Sequence, residues 1–131
     1  MESKFALGRT ASATVIVDES NIAVSVGSGS LPVFATPSMI ALMEKAACAC
    51  LAGALPPGQT SVGTKIDVTH TAASPVGAVI TATAKVGAVF GRRVEFTVTA
   101  HEGDKRIGGG KHTRVIVDEA EFMDKVPRKR A

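Results

Sequence analysis

The chain has 131 residues, a formal net charge of +3 and a pI near 9.1; hydrophobic residues make up 45% and aromatics 4%, with no Trp or Tyr. That length fits a single domain spanning residues 1–131, and the apolar fraction excludes a chain that stays disordered. A mild positive charge without aromatic stacking partners points away from nucleic acid, and no apolar run reaches the ~18 residues of a membrane span.

Residues 1–5 lack the basic and apolar regions of a secretory signal, which predicts a cytoplasmic protein. Cys48 and Cys50 stand two apart in a helical stretch, where side chains point in different directions. They are read as buried free thiols of a reducing compartment; two sulfurs are too few for a zinc site.

Residues 11–17 are β-branched and predict a first strand. Residues 18–33 (DESNIAVSVGSGSLPV) predict a loop, in which the alternation of Ile22, Val24 and Val26 allows a short extended piece. Thr36-Pro37 then predicts a helix start, with Thr36 as N-cap and Pro37 at the first helical position. Met39, Ile40, Leu42, Met43, Ala46, Ala47, Cys50 and Leu51 cover most of that helix and leave Glu44 and Lys45 as its charges, so it should be largely buried. Gly53 and Pro56-Pro57-Gly58 end it.

Residues 61–72 alternate, placing Ile66, Val68, His70 and Ala72 on the face toward the helix and Lys65, Asp67, Thr69 and Thr71 on the other. Strands over 78–90, 93–101 and 106–118 follow, turning at Gly91-Arg92 and Gly103-Asp104, with a short closing helix over 119–126. The order predicts an α+β fold, an antiparallel sheet wrapped around one buried helix. Open sheet edges and a core of small side chains favour a homodimer.

Three residues carry possible chemistry. Glu44 is a carboxylate in an apolar helix, His70 an imidazole on an apolar strand face, and Thr36 a hydroxyl at a helix N-terminus, where unpaired N–H groups stabilise negative charge. Together they are the parts of an acyl-transfer site. Each also has a plainer role: a cap, a solvated helix edge, a core histidine. Thr36 and Glu44, eight residues apart, are separated by roughly 12 Å along a straight helix. A two-fold dimer, in which Glu44 of one chain faces the helix start of the other, would bring them together.

The segments Val33-Phe34-Ala35-Thr36, Leu42-Met43-Glu44, Gly63-Thr64, Val68-Thr69-His70-Thr71-Ala72, Gly91-Arg92-Arg93, Ala100-His101-Glu102-Gly103 and Lys111-His112-Thr113-Arg114 resemble the fluoroacetyl-CoA thioesterase family of the hotdog superfamily. The resemblance implies a hotdog fold, hydrolysis of an acyl-CoA, a Thr36/Glu44/His70 catalytic set, and substrate contacts at Gly63, Arg114 and Phe34. It implies no metal or redox cofactor. Fluoroacetyl-specific members carry a Phe in the loop before the helix; residues 18–33 have none, so another short-chain acyl-CoA is the expected substrate. Three phosphates on CoA would suit the cations Arg92, Arg93, Lys111 and the basic tail, Lys125 with 128–130. A hotdog hydratase or dehydratase and a non-catalytic acyl-CoA-binding module are the alternatives.

Overall fold

The computed structural model describes residues 7–127. In chain order these form β1 (Thr10–Ile16), α1 (Ala23–Val26), α2 (Thr36–Leu51), β2 (Gln59–His70), β3 (Val79–Phe90), β4 (Arg93–Glu102), β5 (Lys105–Asp118) and α3 (Glu119–Asp124). The five strands make one antiparallel sheet in the order β1-β3-β4-β5-β2, which leaves β1 and β2 at its edges. This is the α+β hotdog arrangement, a sheet folded around a single long helix.

Alternation along the strands creates the core. Ile80, Ala82, Ala84 and Val86 of β3 and Val94, Phe96, Val98 and Ala100 of β4 turn one face of the sheet inward. Against them α2 buries Met39, Met43, Ala46 and Cys50, a stripe at helical spacing. The alanines keep helix and sheet close, and flexible methionines fill the remaining space; each buried methionine stabilises the fold by about 1.5–3 kcal/mol. The two-residue turns at Gly91-Arg92 and Gly103-Asp104 fall where the sequence places them.

Three expectations are corrected. Val24 and Val26 do not lie in an extended piece: the Ala23 N–H reaches the Val33 carbonyl, and one helical turn closes where Gly27, at φ 80°, returns its N–H to the Ala23 carbonyl. The loop pairs with itself rather than with the sheet, so alternation there reports no strand. Cys48 is exposed and only Cys50 is buried, both as free thiols. The Cys50 Sγ–H finds the Ala84 carbonyl at 3.3 Å, and burial pushes this thiol up from its ordinary pKa.

The third correction concerns β2. Its alternation is broken by a bulge: Gly63 pairs with Arg114 and Lys65 with Thr113, leaving Thr64 as an extra residue. Ser61 and Gly63 therefore face the helix before the bulge, and Val68 and His70 face it after. Ile66 is on the same side but 37% exposed, because it lies at the sheet edge beyond the cover of α2.

Candidate active site

Helix α2 carries one polar group at its start, Thr36, and another at its middle, Glu44. Its N-cap is Ala35, not Thr36: the Ala35 N–H is taken by the Asn21 carbonyl, and the Ala35 carbonyl accepts the first helical bond from Met39. Thr36 is the first helical residue, and its hydroxyl is free of any capping duty. It lies 2.8 Å from His70 Nδ1. The Phe34 ring, 2% exposed, meets the His70 ring edge-on with centroids 6.5 Å apart. Phe34 thus backs the imidazole in this protomer.

His70 Nε2 is buried with no hydrogen-bond partner among the described residues. Burial lowers the His70 pKa from the usual 6.5, with the Ala72 backbone opposing the shift more weakly. The ring is consequently neutral near pH 7 and able to accept a proton. A buried ring nitrogen without a partner costs stability, about 1–3 kcal/mol, and is retained where it has a use.

Glu44 belongs to a second, denser cluster. Arg114, 7% exposed, donates from Nη1 to Glu44 Oε2 at 3.2 Å, from Nε to Ser61 Oγ at 2.8 Å and from Nη2 to the Ser61 carbonyl at 3.0 Å. The same Nη1 lies 3.3 Å from His112 Nε2. Since arginine only donates, Nε2 accepts. His112 Nδ1 is 2.7 Å from the Lys65 carbonyl, which only accepts, so Nδ1 carries the proton. Burial, helped by the Arg114 charge, lowers the His112 pKa from 6.5 against the pull of the Lys65 carbonyl and Glu44. The ring is neutral, and its 3.9 Å approach to Glu44 Oε2 is not an ion pair.

Gly63 makes this cluster possible. A Cβ there would stand 2.6 Å from Glu44 Oε2, 3.2 Å from His112 Cε1 and 3.3 Å from Arg114 Nη1. Any side chain would push the carboxylate off the guanidinium. The Glu44 side chain is 40% exposed, and its bonds among the described residues fall on Oε2, which leaves Oε1 without a hydrogen-bond partner among them.

The structure thus brings Thr36, His70 and Phe34 together at the start of α2, and Glu44, Gly63 and Arg114 together at its middle. The two groups do not meet within one protomer: the eight-residue separation on a straight helix is roughly 12 Å. Sequence reasoning gave no role to Ser61 or His112. His112, Arg114 and Ile116 alternate inward on β5, an apolar-face pattern that would have flagged His112 had it been traced back from Ile116. Of the cations considered for CoA, Arg92 bonds the Ile116 carbonyl at 3.4 Å, and Arg93 pairs with Glu95 at 3.7 Å and lies over the Phe90 ring. Residues 128–130 of the tail lie outside the described residues.

A sheet folded around a helix that carries a carboxylate–guanidinium pair and, about two turns away, a hydroxyl–imidazole pair is an arrangement suited to acyl transfer. Comparison with known proteins narrows the class. The profile of the fluoroacetyl-CoA-specific thioesterases matches residues 17–120. The fluoroacetyl-CoA thioesterase of Streptantibioticus cattleyicolor is 46% identical over 97 residues, 74% of this chain and 70% of that protein. The solved structure of the fluoroacetyl-CoA thioesterase FlK superposes with a TM-score of 0.89 at 36% identity, covering 97% of this chain and 98% of that one. A threonine-to-serine variant of FlK, solved in complex with acetyl-CoA, superposes with a TM-score of 0.88 at 36% identity over 93% and 96% of the two chains. The chain belongs to the fluoroacetyl-CoA-specific thioesterase family.

Proposed function

We propose that the protein is a cytoplasmic homodimer that hydrolyses a short-chain acyl-CoA, each active site combining Thr36 and His70 of one protomer with Glu44 of the partner. The observation that carries this reading is the division of the polar groups: a hydroxyl–imidazole pair at the start of α2, its Nε2 without a partner among the described residues, and at the middle of α2 a carboxylate with one oxygen unbonded among those residues. The open β2 edge supports it, because an unpaired strand edge can join a second copy about a two-fold axis, which would carry the helix start of one chain toward Glu44 of the other. The two free thiols support a reducing compartment.

Backbone N–H groups at the start of α2 and the Thr36 hydroxyl polarise the thioester carbonyl. Two routes then use the same groups. In one, Glu44 Oε1 bonds to the carbonyl carbon, the C–S bond breaks, and water cleaves the resulting anhydride, its proton passing through His70 to the thiolate sulfur. In the other, Glu44 takes a proton from water as the water oxygen bonds to the carbonyl carbon, and His70 relays that proton to sulfur as the C–S bond breaks. Both yield the free acid and CoA thiol, and both require an ionised carboxylate and a neutral imidazole.

A short acyl group suits the covering loop, which has no Phe but carries exposed Val24, Val26 and Leu31. FlK itself has been solved with acetyl-CoA in a threonine-to-serine variant and with fluoroacetate and CoA in a phenylalanine-to-alanine variant.

Thiol release over acyl-CoAs from two to twelve carbons tests the substrate: turnover should peak at the short end, and equal near-zero rates throughout would refute it. Mixing inactive Thr36→Ala and Glu44→Ala chains tests sharing. Mixed dimers should regain one intact site, and the absence of any recovery in a verified mixed dimer would refute a divided site.

A further inference from the structure

We infer that His112, which touches neither substrate nor reacting atoms, is a positioning residue that fixes which oxygen of Glu44 does the chemistry. The inference rests on the reading of Glu44 as the catalytic carboxylate.

A guanidinium has five N–H donors and, left to itself, grips both oxygens of a carboxylate in a parallel fork. Here it does not. Nε and Nη2 are both turned to Ser61, on its hydroxyl and carbonyl, so one nitrogen, Nη1, remains for Glu44. His112 Nε2 is a second acceptor for that nitrogen at 3.3 Å, and it fixes the plane of the guanidinium so that Nη1 meets Oε2 alone. The ring can act this way because it cannot turn. Its Nδ1–H is held by the Lys65 carbonyl at 2.7 Å, and its plane is stacked on Phe96, 27° from parallel with centroids 6.2 Å apart.

The groups facing the ring are Arg114 from β5, the Lys65 carbonyl from β2, the Phe96 ring from β4 and Glu44 from α2; the Arg114 donor at 3.3 Å and the Lys65 carbonyl on Nδ1 make Nε2 the acceptor, against the weaker pull of the Glu44 carboxylate at 3.9 Å. A donor at Nε2 would aim a proton at Glu44 Oε2 and displace Arg114. A polar side chain 2% exposed with both ring nitrogens bonded is an unusually complete fixture for a residue without chemistry of its own. Its effect is to leave Oε1 unbonded for the thioester or for water.

Removing the acceptor while keeping the donor tests this. His112→Asn retains an amide N–H within reach of the Lys65 carbonyl but presents nothing where Nε2 stood; His112→Gln restores an acceptor at that reach. The expected result is a kcat about 10- to 100-fold lower for His112→Asn with KM for acyl-CoA changed by less than about 3-fold, and recovery of most of that loss in His112→Gln. In an Arg114→Gln background His112→Asn should cost nothing further, because the histidine acts through the arginine. Wild-type kcat in His112→Asn, or an equal loss with and without Arg114, would overturn the inference.

Should the asparagine variant not fold, 15N NMR of the wild-type ring decides. A neutral ring protonated on Nδ1 supports the inference, and a charged ring or one protonated on Nε2 overturns it. Glu44→Gln separates this from the larger reading: if that variant turns over normally, the catalytic assignment itself has failed, whereas an inactive Glu44→Gln beside a fully active His112→Asn refutes the positioning role alone.

Discussion

The start and the middle of α2 treat their polar groups in opposite ways. Around Glu44, the Arg114 guanidinium has all three nitrogens engaged and the His112 ring both of its own. Around His70 there is one side-chain hydrogen bond, between Nδ1 and the Thr36 hydroxyl, and a buried Nε2 with no partner among the described residues. The Glu44 cluster is densely bonded, and the His70 cluster is not. A preassembled carboxylate needs no reorganisation when substrate arrives, and an imidazole with an unused nitrogen is ready to take a proton.

Breaking either cluster separately sharpens the contrast. The largest effects are expected for Glu44→Ala and His70→Ala, each lowering the thiol-release rate by at least ~10²-fold; a rate near wild type in either would remove that residue from the mechanism. Gly63→Ala should come next. Its methyl group meets only the side chains of Glu44, His112 and Arg114 within close range, so kcat should fall by about 10-fold or more while the chain stays folded by circular dichroism. Retained activity would show that the carboxylate tolerates displacement.

Thr36→Val removes the hydroxyl but not the ring it holds. A fall in kcat of about 10-fold is expected, with stability changed by about 1 kcal/mol in denaturant melts, the worth of one exposed hydrogen bond.

The smallest effect is on stability against pH. His70 and His112 both have folded pKa values below the usual 6.5. Above 6.5 both are neutral folded or unfolded, and their environment imposes no penalty; below it the unfolded chain gains protons that the folded chain resists. Stability should therefore be level above about pH 7 and decline below 6.5, and His112→Gln should flatten part of that slope in thermal melts. A melting temperature that stays constant down to pH 5 in the wild type would contradict the neutral rings.

Much of this was legible in the amino-acid order. The helix was readable because Met39, Met43, Ala46 and Cys50 recur at helical spacing, and the later strands because alternation and two glycine turns agree. The family resemblance picked out Thr36, Glu44 and His70, and helical rise alone put Thr36 and Glu44 too far apart for one carbonyl. What stayed hidden depends on partners distant in the chain. Thr36 looks like a cap because Thr-Pro is a capping pair; that its hydroxyl goes instead to a ring 34 residues away is a tertiary fact. Ile22, Val24 and Val26 alternate like a strand but fold back on Val33 and Leu31, with a helical turn closed at Gly27. His112 sits in a run of glycines and charges whose inward alternation shows only once the register with β2 and β4 is known.

The extra residue at Thr64 has a consequence for how this protein can change. Strand parity decides which side chains look inward, and β2 must present Gly63 and His70, seven positions apart, on the same side. An uninterrupted strand cannot do that, since residues an odd number apart face opposite ways. Deleting Thr64 would remove little more than one exposed hydroxyl and its bond to the Thr113 carbonyl, yet it would turn either the glycine or the imidazole to solvent. At this point in the chain, length is inherited more strictly than residue identity: a substitution at position 64 is a minor event, and a one-residue gap is the end of the enzyme.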